Sequence, residues 1–153
     1  MLNINYIDNG EHHKDLVLRI DELPTYRSIA DTYYLSDFME SKAELPFNSV
    51  VKEFLEYWKT RIEDIKHNAV FIPFDLSDEY VGGIVIKPNE VGYTVNTCHS
   101  RELNGWGINI DTISKLDIGK EGLFIYDDKN EFLTTKESLL QGINRSIDKL
   151  AGK

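Results

Sequence analysis

Residues 69–98, AVFIPFDLSDEYVGGIVIKPNEVGYTVNTC, decide the fold. The stretch holds an apolar run at 69–74, a second at 80–87 and an alternating segment at 91–98. Each is rich in β-branched and aromatic residues and bounded by turn formers, the pattern of strands. The link Pro88-Asn89-Glu90 suits a hairpin, whereas parallel neighbours would need crossovers of about a dozen residues or more. Antiparallel pairing is therefore expected.

Toward the C-terminus, residues 106–110 (WGINI) and 122–126 (GLFIY) read as further strands, with Asp127-Asp128-Lys129-Asn130 as a turn. Thr134 and Glu137 have capping-box spacing, and Leu139, Leu140, Ile143, Ile147 and Leu150 form one stripe. A helix over 135–150, stopped by Gly152, follows. Toward the N-terminus, Val50, Val51, Phe54, Leu55, Trp58, Ile62 and Ile65 recur at helical spacing. They predict a helix over 49–66 with Asn48 or Ser49 as cap and His67-Asn68 at its end. Trp58 belongs to the core on this pattern. Residues 2–7 and 16–20 alternate as strands about a turn at Asp8-Asn9-Gly10, and residues 27–41 lean to helix through Ile29, Ala30 and Tyr33. The sum is a single α+β domain over 1–153. It is a mainly antiparallel sheet of five to seven strands packed with two main helices, about 49–66 and 135–150.

The chain has 153 residues, 41% hydrophobic and 28% charged, so a packed core is expected. The N-terminus lacks a basic region followed by an apolar stretch, and no segment approaches the run of about 20 apolar residues that a membrane span requires. Cys98 is the one cysteine, so no bridge closes within the chain, and a reducing, cytoplasmic location is expected. Net charge is −9, and the first ninety residues carry the excess. Residues 1–47 have 9 acids and 4 bases, and residues 69–90 have 4 acids and 1 base. Such a field repels nucleic acid and anionic lipid and attracts a basic partner.

Motifs for chemistry are sparse. Cys98-His99 are neighbours on a strand, which sends their side chains to opposite faces; a buried thiol beside an edge histidine is expected. Glu11-His12-His13 lacks the spacing that converges on a metal ion. Asp75, Asp78 and Glu79 lack the alternating calcium loop and read as a turn capped by Asp75 or Ser77, or as acids beside Tyr80 facing a basic surface. Gly82-Gly83 and Gly105-Trp106-Gly107 do not continue into phosphate-loop patterns, and a bulge or close backbone approach accounts for them. No cofactor or metal is expected.

The segment Phe71-Ile-Pro-Phe-Asp75-Leu-Ser-Asp78-Glu79-Tyr80-Val-Gly-Gly83, with Gly122-Leu-Phe-Ile-Tyr126-Asp-Asp before the capped helix, resembles the immunity proteins that accompany bacterial polymorphic and contact-dependent growth-inhibition toxins. The resemblance covers roughly the C-terminal two-thirds. It implies a small, acidic, non-catalytic cytoplasmic protein that binds the C-terminal toxin domain of a cognate effector, commonly a nuclease, and blocks its active site. Toxins acting on nucleic acid need a basic cleft, which carboxylates can fill in place of phosphates. The candidate carboxylates are Asp75, Asp78 and Glu79, with Asp31, Asp37 and Glu40 as a second set, and Tyr80 and Tyr34 are candidate anchors. The alternative is a small-molecule-binding domain or enzyme whose pocket on the sheet uses His99 with Asp78 or Glu79.

Overall fold

The computed structural model describes residues 1–42 and 45–152. In chain order its elements are β1 (Leu2–Tyr6), β2 (Leu16–Ile20), β3 (Arg27–Ala30), α1 (Leu35–Met39), α2 (Phe47–Glu63), β4 (Val70–Leu76), β5 (Val81–Pro88), β6 (Tyr93–Ser100), α3 (Ile110–Ser114), β7 (Ile125–Thr134) and α4 (Lys136–Leu150). The chain is α+β, with one antiparallel sheet ordered β1-β2-β3 and another ordered β4-β5-β6-β7. A single apolar core runs through both sheets and the long helices.

The deciding stretch behaves as its pattern predicts. Phe71 pairs with Val85 and Val85 with Asn96, and the β5–β6 link closes as a hairpin in which Asn89 N–H donates to the Gly92 carbonyl at 2.9 Å. Glycine at 83 is needed because a methyl there would collide with the Ile72 backbone across the ladder, where the register slips between Pro73 and Asp75. Helix α2 buries Val50, Val51, Phe54, Leu55, Trp58 and Ile62. It is tied to β4 by Trp58 Nε1–H donating to the Pro73 carbonyl at 3.0 Å. Its exposed carbonyl end is closed from outside, since Lys136 Nζ donates to Glu63 O at 3.1 Å and Ile65 O at 2.8 Å.

Helix α4 closes the outer edge of β1. Ser146 Oγ accepts from Ile4 N–H at 3.0 Å and donates to the Gly142 carbonyl at 3.0 Å. Gly142 lies so close to Leu2 that a methyl on it would stand 2.8 Å from the Leu2 nitrogen. Two small residues one turn apart thus let a helix lie on a strand edge and satisfy one of its free amides.

Several expectations need correction. Among the described residues, seven strands form two sheets rather than one, and the short α1 and α3 are present besides the two long helices. Residues 27–41 begin as a strand, because β2 offers a free ladder that pairs Leu16 with Ala30 and Val17 with Ile29; only Leu35–Met39 is helical. Residues 106–110 are loop leading into α3, which is set by a reciprocal capping box between Asn109 and Thr112. Thr134 ends β7 paired with Tyr93, so Thr135 caps α4 instead, accepting from Ser138 N–H. Neither Asn48 nor Ser49 caps α2, which starts after Pro46 and ends at Glu63, before His67.

The strand expected at 122–126 begins at Ile125 and runs to Thr134. The turn expected at 127–130 survives as a bulge within it. Pairing jumps from Cys98↔Tyr126 to Asn96↔Glu131, so four residues stand opposite Thr97 alone. The Asp127 carboxylate fills the bulge, accepting from Lys129 N–H at 3.1 Å and Asn130 Nδ2 at 2.7 Å. The Asn96 amide props it from the next strand, at 2.9 Å from Asp127 O.

Candidate functional site: an acidic and aromatic recess

Three distant segments meet at one surface recess of 540 Å³, lined by His13, Asp31, Tyr33, Tyr34, Leu76, Ser77, Asp78 and Glu79. The first contribution comes from the β1–β2 loop, the second from the turn after β3, and the third from the turn between β4 and β5.

The turn after β3 is held by a buried carboxylate. Asp15, 1% exposed, accepts from Thr32 N–H at 3.0 Å and Thr32 Oγ1–H at 2.6 Å. That fixes the neighbouring Asp31, whose own carboxylate accepts from Lys14 N–H at 2.7 Å and lies 3.2 Å from His13 Nδ1. The His13 ring stacks on Tyr33, with centroids 5.6 Å apart, and Tyr33 meets Tyr34 edge to face at 4.9 Å. Across the recess the Tyr34 hydroxyl donates to Asp78 Oδ1, and this bond to a carboxylate, ahead of desolvation, pushes the phenol up to about 12. The β4–β5 turn is closed by Ser77 N–H donating to Tyr80 O at 3.1 Å, with Ser77 Oγ accepting from Glu79 N–H at 3.3 Å.

A fourth segment adjoins. Gly105 N–H donates to Ser77 O at 2.6 Å, and a methyl on Gly105 would lie 3.0 Å from the Tyr34 ring. The next residue, Trp106, is 67% exposed. Singly exposed apolar side chains are ordinary on a surface, and Val91 and Leu133, away from the recess, are more exposed than Trp106. Tyr33, at 57%, is nearly as exposed.

The candidate residues are divided by the structure. Asp31, Asp78, Glu79 and Tyr34 converge, joining residues from the two sets that the sequence kept apart. Asp37 and Glu40 are exposed on α1 and at its cap and do not line the recess. Asp75 is withdrawn from it: half-buried, it accepts from the Tyr80 hydroxyl at 2.9 Å. Burial raises its pKa, opposed by the Tyr80 hydrogen bond and assisted by the Asp31 charge. Asp75 therefore does not cap the turn, and Tyr80 belongs to the same inward pair. Beyond the candidate residues, His13 and Tyr33 also line the recess, and Trp106 follows Gly105, whose backbone adjoins it. Their proximity depends on the β1–β2 and 101–109 loops folding back, which no local spacing announces. Among the described residues, no lysine or arginine stands at salt-bridge distance from Asp31, Asp37, Glu40, Asp75, Asp78 or Glu79.

His99 does not meet Asp78 or Glu79. It lines a different cleft, with Tyr80 edge-on at 6.0 Å, and β6 is an interior strand rather than an edge. Cys98 is buried, and that burial pushes its thiol up to about 12, away from nucleophilic use near neutral pH. Among the described residues, no group of three or more His, Cys, Asp or Glu is placed to hold a metal ion, and no helix is long and apolar enough to cross a membrane. Comparison with known protein families, curated proteins and solved structures finds no match to this chain.

Proposed function

We propose that this chain is a protein-binding inhibitor that docks the recess and its aromatic rim onto a cationic surface. In its specific form it is an immunity protein that blocks the active site of a cognate bacterial toxin domain, a basic nuclease by chemistry, within the cytoplasm. The observation that supports the reading most is the convergence of Asp31, Asp78 and Glu79 with Tyr33 and Tyr34 in one surface recess, free of lysine or arginine partners among the described residues. Carboxylates without a lysine or arginine partner accelerate encounter with a basic surface, and exposed rings supply contact area.

Co-expression with the toxic C-terminal domain encoded immediately upstream tests the proposal. Stoichiometric co-purification with loss of toxicity is expected. The absence of a toxin-like neighbour, or a neighbour that stays free and toxic, counts against it.

A further inference from the structure

A second cleft, of 760 Å³, opens between the β3 side of the small sheet and strands β5, β6 and β7. It shares no lining residue with the acidic recess. Its floor includes Gly82, near the start of β5 and paired on both sides with Asp75 and His99, where glycine weakens a ladder. Nothing in the fold demands glycine there. Its φ is not in the left-handed region, and an added methyl would make only ordinary contacts, 3.5 Å from Asp75 Cβ and 3.9 Å from His99 Cβ. The missing side chain opens the cleft.

Three phenolic rings, Tyr26, Tyr80 and Tyr126, line this space. Two cations, Arg101 and Lys129, stand at its rim, and neither has an ion-pair partner among the described residues although the chain is rich in acids. Three carboxylates are close by: Asp75 accepts from the Tyr80 hydroxyl, Asp127 is turned into the bulge where it accepts from Lys129 N–H and Asn130 Nδ2, and Asp128 lines the rim beside the two cations. The bulge that carries Lys129 is braced by Asn96 rather than loose. The volume falls within the range of about 300–1,000 Å³ usual for small-molecule sites, which combine aromatic walls with a few polar groups.

We propose that this cleft binds a small molecule in which a planar ring carries an anionic group, of about mononucleotide size. The ring lies among the tyrosines and the anion is held by Arg101 and Lys129. Backbone-amide NMR titration with adenosine 5′-monophosphate and with phenyl phosphate tests this, with adenosine and inorganic phosphate as controls that each lack one half of the pharmacophore. Millimolar or tighter binding of at least one ring-bearing anion is expected, with shifts centred on Gly82, His99, Arg101 and Lys129. Each control should bind about tenfold more weakly, and Arg101→Ala should cost about tenfold, the loss of one charge-assisted hydrogen bond. Gly82→Val should fill the floor and abolish binding. Silence with both anions, equal binding of the controls, or a folded Gly82→Val that binds like the parent overturns the proposal. If Gly82→Val does not fold, unchanged affinity in the exposed Arg101→Glu variant overturns it instead.

Discussion

Asp15 shows how much of the recess depends on one group outside it. Its two carboxylate oxygens take both polar hydrogens of Thr32, so the turn carrying Asp31, Tyr33 and Tyr34 cannot shift without leaving a buried charge unpaired. Asp15→Ala is expected to cost about 1–3 kcal/mol, read as a lower urea midpoint, with faster amide exchange at residues 31–34. A midpoint unchanged from the parent would show that the turn is held by something else. Asp75 gives the opposite sign. Burial holds its pKa above the ordinary 3.8, so the folded state binds that proton more tightly than the unfolded chain does. Its contribution to stability is greatest below the ordinary value and is lost as pH rises through the raised one. Asp75→Asn, which keeps an acceptor for Tyr80, is expected to flatten that part of the stability curve and to be at least as stable as the parent at neutral pH. Urea midpoints taken from about pH 4 to about pH 7 check it. A variant less stable at neutral pH would mean that the ionised carboxylate is needed.

At the scale of elements, α4 on β1 is the most demanding joint. Glycine in a helix interior costs about 1 kcal/mol relative to alanine, so an exposed Gly142 would be improved by Gly142→Ala. Here the methyl would meet the Leu2 backbone, and the substitution is expected to destabilise by about 1–3 kcal/mol, the usual range for overpacking. Ser146→Ala should cost about 1 kcal/mol for the unpaired Ile4 amide. Thermal or urea unfolding of both variants decides the point, and a stabilised Gly142→Ala would contradict the observed packing.

The same elements show what a single sequence discloses. Helices α2 and α4 and the β4–β5–β6 meander were legible because their periodicity is set by burial on one face. Residues 27–30 were not, because their state is decided by the ladder that β2 offers from eight to fourteen residues away in the chain. Residues 106–110 were misread because the Asn109–Thr112 cap outweighed an apolar alternation too short to bury a face. In the site, Asp31, Asp78, Glu79 and Tyr34 could be chosen by residue type, while Asp75 could not be excluded, since its withdrawal into a bond with Tyr80 follows from the irregular register of β4.

The whole molecule carries a net charge of −9. The acids of the recess lack lysine and arginine partners among the described residues, whereas elsewhere Lys52 stands 4.0 Å from Glu56, Lys115 pairs with Asp111 and Lys120 with Glu102. Exposed pairs of that kind add little stability, and exposed Glu90, Glu121, Asp128 and Asp148 likewise lack a lysine or arginine partner among the described residues, so the recess contributes to a field that is negative overall. Association with a basic domain is therefore expected to slow markedly as salt is raised past physiological strength, while dissociation, governed by the aromatic rim, changes far less. Stopped-flow rates across a salt series measure the two separately, and a salt-independent association rate would remove electrostatic steering from the account. The most direct measurement of the central claim is the affinity of the upstream toxin domain for the parent chain and for Asp78→Lys. The recess account predicts a loss of about a hundredfold or more, as truncating or reversing a desolvated charge at an interface does; undiminished binding by a folded Asp78→Lys would place the contact surface elsewhere.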